Sequence, residues 1–121
     1  MWEPFIRAWR TRLAAEETAR AAAAAEMWAA AQRCGQILVR RFGASRVYLF
    51  GSLTGRAATP FGPRSDIDLA VEGLAPECYW EALGAVEAEL PRGRRMDLVR
   101  LEDAHSALRE RVLCSGEILS G

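Results

Sequence analysis

Apolar side chains recur first at helical spacing along this chain and later at strand spacing. Trp2, Phe5, Ile6, Trp9 and Leu13 fall on one face of a helix, and Pro4 suits its first turn. Alanine dominates the next stretch. Trp28, Ala31, Gly35, Ile37, Leu38 and Phe42 then continue an apolar side with some drift, and Gly43 is a stop signal. The first forty or so residues are therefore predicted to be helical. One long helix and two shorter ones both fit, because Gly35 and the weak apolar pattern over residues 16–23 leave room for a break. Arg46 to Phe50 (RVYLF) is a β-branched and aromatic run ending at Gly51, which predicts a strand. Gly55, Pro60, Gly62 and Pro63 mark residues 53–65 as a loop. Ile67 to Val71, where aspartate alternates with apolar residues, predicts a second strand. Pro76 opens a helix to about Leu90, with Trp80, Leu83, Val86 and Leu90 at helical spacing, and Pro91 and Gly93 end it. Met96 to Leu101 predicts a third strand, and a last helix runs from about Asp103 to Cys114 with Gly116 as its stop. The order α-β-loop-β-α-β-α predicts an α/β (α+β) domain with a small mixed sheet and flanking helices. Strand order does not follow from the pattern.

Composition narrows the classes. A chain of 121 residues, half hydrophobic and 26% charged, suits one globular domain rather than a disordered segment. Sixteen basic and sixteen acidic side chains cancel, so there is no footprint for non-specific nucleic-acid or anionic-membrane binding. Apart from His105 every basic residue is arginine, which excludes chemistry that requires a lysine, such as a Schiff base or a P-loop. Cys34, Cys78 and Cys114 are odd in number and form no CxxC, so reduced thiols are expected rather than disulfides or a zinc site. With no apolar signal-peptide core and no stretch approaching a membrane span, the expected location is the cytoplasm.

Asp66 and Asp68 are the sharpest chemical signal. On a strand, residues two apart share a face, so the two carboxylates stand side by side. Adjacent carboxylates repel, and a hard divalent cation resolves the conflict; Mg²⁺ held by carboxylates and substrate phosphates is the usual case. Asp97, in MDLVRL on the next strand, completes a cluster of three if the two strands are neighbours. Such a cluster can hold two metals flanking the attacking and leaving oxygens of a phosphoryl transfer. Gly51 and Ser52 follow a strand directly. Glycine permits close backbone approach to a phosphate, and the amides and hydroxyl can donate to its oxygens.

LFGSL, SDIDLAV and MDLV together resemble the motifs of the polymerase-β-type nucleotidyltransferase superfamily. They are most similar to its minimal members, the MNT antitoxins paired with HEPN-domain toxins. The likeness spans roughly residues 30–120, including LRERVLCSGEIL, which is similar to the family's C-terminal helix. It implies one nucleotidyltransferase domain, with residues 1–25 as a helical extension and 26–121 as the catalytic core. It implies that Gly51 and Ser52 hold the triphosphate of ATP or another NTP. Asp66, Asp68 and Asp97 would bind Mg²⁺, with Asp97 also accepting the acceptor hydroxyl's proton. The implied activity is transfer of NMP, AMP in the first instance, to a hydroxyl of a HEPN partner. The alternative is a non-catalytic antitoxin that neutralises a HEPN ribonuclease by contact, and a small-molecule or RNA-end acceptor is a third option. This chain departs from the pattern in two places. The thirteen residues 53–65 between Ser52 and Asp66 exceed the usual antitoxin spacing, and the family's Arg-Gly is reversed as Gly55-Arg56, so Arg56 receives no phosphate role.

Other residues have bland readings of at least equal weight. Arg64 is a phosphate contact or a solvated loop residue. His105 is expected at the surface or partly packed, and Arg92, Arg94 and Arg95 guide an anion or form a solvated turn. The Trp2–Leu13 stripe needs a cover: its own core, another copy in a homo-oligomer, or a partner.

Overall fold

The computed structural model describes residues 2–55, 61–62 and 65–120. A single helix, α1, runs from Glu3 to Arg40, 38 residues without a break. Neither the alanine-rich stretch nor Gly35 interrupts it. Alanine is the strongest helix former, and the glycine is used for packing instead. Strands β1 (Arg46–Phe50) and β2 (Ile67–Glu72) follow, separated by a 3₁₀ turn at Ser52–Thr54. A 3₁₀ turn at Pro76–Cys78 leads into α2 (Tyr79–Glu87), so this helix starts later and ends earlier than its apolar spacing predicts. Strand β3 (Met96–Arg100), a 3₁₀ turn at Leu101–Asp103, α3 (Ser106–Ser115) and β4 (Glu117–Ser120) complete the chain.

The last helix ends at Gly116 as its sequence predicts, but the fourth strand is new: the pattern gave no strand after Gly116, and the family likeness set LRERVLCSGEIL beside a C-terminal helix. The helix stops at Gly116, where a Cβ would press to 2.5 Å from the Val112 carbonyl oxygen, and EILS pairs antiparallel with β1. Its β-propensity is unremarkable; a free strand edge on β1 and an apolar floor decide it. That floor is α1 at Gly35, where a Cβ would lie 3.1 Å from Leu119 Cβ and 3.2 Å from Ser120 Oγ. Glycine allows the closest approach of helix and edge strand.

The sheet order is β3-β2-β1-β4. β1 pairs antiparallel with β2 and β4, while β2 and β3 run parallel across the α2 connection. Strand alternation divides the side chains between two faces. On one, Val47, Leu49, Ile67, Leu69, Val71 and Leu98 bury against Met27, Ala31, Cys34 and Leu38 of α1 and Ala82 and Val86 of α2. Trp80, expected on the packed side of α2, is instead 78% exposed. On the other face Tyr48, Ala70, Leu101 and Val112 form a smaller cluster under α3. That cluster leaves the β2–β3 end of its face uncovered, and there the acidic residues emerge. Among the described residues no helix is long and apolar enough to cross a membrane.

Candidate active site

Asp68 and Asp97 are register partners on the parallel strands β2 and β3, one step along from the Ile67–Met96 pair. Neighbouring strands lie about 4.8 Å apart, so the two side chains rise from the same face as neighbours. Asp66 lies just before β2 and is exposed, as is Asp97, while Asp68 is half-buried. Burial, the Asp97 carboxylate and the Asp66 carboxylate, in that order, push the Asp68 carboxyl up to about 6. The opposite neighbour of Asp68 in the sheet is Phe50, and Gly51 follows it. Gly51 has φ 80° and ψ −157°, a conformation open essentially to glycine alone. A Cβ at this position would overlap the Asp68 carboxylate. Gly51 thus brings the turn's backbone directly against the acidic pair, a stricter requirement than the flexibility read from sequence.

The turn is built to hold its shape. Thr54 donates through its hydroxyl to the Gly51 carbonyl at 2.7 Å and through its amide at 3.2 Å. From α1, the Trp28 indole N–H donates to the Leu53 carbonyl at 3.1 Å. The sequence reading placed Trp28 only in the apolar pattern of the helix. Its tie to the turn could not be found from spacing, because the two residues are 25 positions apart.

Arg94 also takes a role the sequence did not suggest. Its guanidinium donates to the carbonyls of Gly62 and Ser65 at 3.0 and 3.2 Å and lies 4.9 Å from the Phe61 ring centroid. It anchors the segment leading into Asp66 and is partly buried, whereas Arg92 and Arg95 are exposed. His105 caps α3, its Nδ1 accepting from the Leu108 amide at 3.2 Å. Arg56 and Arg64 lie outside the described residues. Tyr79 of α2 donates its phenolic proton to the Leu98 carbonyl at 2.6 Å, and burial and the nearby Asp97 charge raise its pKa. Buried Cys34 is held to about 12 chiefly by desolvation, as an inert core thiol; it donates to the Val86 carbonyl.

The donor set, carboxylate oxygens only, is of the kind that suits a hard cation, and the charges of Asp97 and Asp66 add to burial in raising the Asp68 carboxyl. Among the described residues no group of three acidic, histidine or cysteine side chains is placed to hold a metal ion, so Asp66, Asp68 and Asp97 do not by themselves make a three-carboxylate metal site.

A glycine turn packed on paired strand carboxylates within a small mixed sheet is an arrangement suited to phosphoryl transfer. The family model for polymerase β nucleotidyltransferases matches residues 32–121, and the chain belongs to that family. Among solved structures, a minimal nucleotidyltransferase is 32% identical, covering 76% of this chain and 92% of that one, with a TM-score of 0.59. A toxin–antitoxin structure with AMP-PNP is 29% identical over 74% of this chain and 73% of that one, with a TM-score of 0.60. The toxin–antitoxin MntA–HpeT, in a mutant with two aspartates two positions apart changed to glutamate, is 28% identical; the match covers 69% and 67% of the two chains, with a TM-score of 0.55. No curated protein matches the chain by sequence.

Proposed function

We propose that this nucleotidyltransferase is an antitoxin that transfers AMP from ATP to a hydroxyl of a HEPN-domain toxin, with Mg²⁺ held by Asp66, Asp68 and Asp97. The carrying observation is the close approach of Gly51 to Asp68 and the register of Asp68 with Asp97, which puts a glycine turn beside paired carboxylates. The toxin–antitoxin neighbours and the AMP-PNP complex of one of them support the reading. The Asp-to-Glu mutant of the other has the same two-residue spacing as Asp66 and Asp68.

In this reading Gly51 and Ser52 orient the triphosphate, their amides and the Ser52 hydroxyl donating to its oxygens. Bound Mg²⁺ supplies charge neutralisation of the triphosphate. Asp97 accepts the proton of the acceptor hydroxyl as its oxygen bonds to the α-phosphorus and the bond to the departing pyrophosphate breaks. Geometry, with the nucleophile in line, and preorganised charge carry the rate. The toxin–antitoxin neighbours support an acceptor that belongs to a separate protein.

Purified protein with Mg²⁺, ATP labelled at the α-phosphate and the toxin should label the toxin. Asp68→Asn and Asp97→Asn should each lower the rate by about 10²–10³-fold. Undiminished labelling by Asp68→Asn would overturn the site. Full neutralisation of the toxin by the Asp68→Asn, Asp97→Asn double variant, with no labelling, would assign the antitoxin effect to contact alone.

A further inference from the structure

The first turns of α1 present an apolar face with no cover. Trp2 is 79% exposed, Phe5 73%, Ile6 48%, Trp9 59% and Leu13 41%, and every residue from 2 to 22 is exposed. The segment therefore does not fold back on its own core. At 100° per residue, Trp2, Ile6, Trp9 and Leu13 lie in line with Met27, Ala31, Cys34 and Leu38, the residues that face the sheet. One helix face thus serves the domain core along its second half and overhangs the domain along its first. Isolated helical segments of this length are marginal in water, and an aromatic stripe of this size is an association surface.

We propose that the occupant of this face is the same face of a second copy, packed antiparallel, so that the protein is a dimer through residues 2–13. Two features select a second copy. The spacing of the stripe, 2-6-9-13, has steps of four, three and four, which read the same in both directions. Reversal about a two-fold axis therefore sets Trp2 against Leu13 of the other copy and Ile6 against Trp9, each apolar side chain meeting another. An isologous interface requires this self-complementarity. The flanks match as well. In a heptad frame with Trp2 and Trp9 at d and Ile6 and Leu13 at a, Glu3 and Arg10 both occupy e. Antiparallel pairing puts e beside e, so Glu3 of each copy meets Arg10 of the other, an opposite-charge pair formed twice. On the other flank, Arg12 meets the exposed ring of Phe5. The intervening exposed residues 14–22 hold the two domains apart, so the helices can close without the sheets colliding.

Sedimentation equilibrium on the full chain tests this. The wild type should sediment at twice its 13.3 kDa at micromolar concentration. Ile6→Glu should run as a monomer with the sheet signal of its circular dichroism unchanged, any lost helix signal being confined to the uncovered first turns of α1. Glu3→Arg and Arg10→Glu should each weaken dimerisation roughly tenfold, because both pairs become like-charged. Mixing the two single variants should restore association, since a mixed dimer regains both opposite-charge pairs in this register. A wild type that stays monomeric at tens of micromolar overturns the proposal and leaves the stripe to a different protein. Dimerisation that Ile6→Glu does not touch, or a mixture no tighter than either variant alone, overturns it too.

Discussion

Asp68 is a residue held in tension. Its carboxyl is half-buried against Gly51, between Phe50 and Asp97 in the sheet, and binds its proton up to about pH 6. In the unfolded chain the same group titrates near 3.8, so the folded state holds more protons between these values. Stability therefore falls as pH rises through that window, the opposite of the usual salt-bridged aspartate. Solvent screening of the half-exposed group limits the cost to the order of 1 kcal/mol. Asp68→Asn, measured by urea unfolding in chelator, should be more stable than wild type by about that amount at pH 7 and should flatten the slope between pH 4 and 6. Excess Mg²⁺ should stabilise the wild type and leave the Asn variant unmoved. Equal stabilisation of both by Mg²⁺ would remove Asp68 from the ligand set.

At the scale of elements, the Gly51–Thr54 turn depends on a helix remote from it in sequence. The Trp28 indole reaches from α1 to the Leu53 carbonyl, and Thr54 closes the turn back on Gly51. Trp28→Phe keeps most of the packed ring but leaves that carbonyl without its partner. The expected result is a loss of about 1 kcal/mol in unfolding free energy and a several-fold rise in KM for ATP, with a smaller change in kcat. A variant that loses stability with KM unaltered would show that the bond serves the core and not the turn. The C-terminal ends of β2 and β3 are braced in a similar way. Arg100 donates to the Leu74 carbonyl at 2.8 Å and pairs with Asp103 at 2.5 Å, and Glu102 accepts from the Gly73 amide at 2.7 Å. These contacts hold the two parallel strands in the register that sets Asp68 beside Asp97.

For the molecule as a whole, α1 serves two tasks that separate along its length. Residues from Met27 onward bury against the sheet, whereas residues 2–22 contribute no buried side chain. Deleting residues 1–13 should therefore leave the melting temperature of dilute protein within roughly 2–4 °C of the wild type, since no core contact is removed. A drop well beyond that would mean the first turns brace the domain. Activity toward small nucleotide substrates should persist, because the carboxylates and the Gly51 turn all lie after residue 42.

Local rules made the strands β1 to β3 and the helical character of the first forty residues legible from residue order, but not whether that helix was one or two; most of the loop expected over residues 53–65 lies outside the described residues. Alternation and helical spacing are properties of neighbours in sequence, and so is the DxD that puts two carboxylates together. The motifs LFGSL, SDIDLAV and MDLV were enough to indicate the nucleotidyltransferase family that the match over residues 32–121 then showed. Tertiary structure decided the rest, wherever the partner of a residue lies far along the chain. EILS became a strand because β1 offered an unpaired edge and Gly35 a shallow floor, neither visible in those four residues. Arg94 and Trp28 became anchors of the site because folding brought them to carbonyls 25 to 32 positions away. Asp97 joined Asp68 only through the parallel register of β2 and β3, which no period along the chain encodes. Spacing along the chain specifies which face a side chain takes; backbone pairing between distant segments specifies what it meets there.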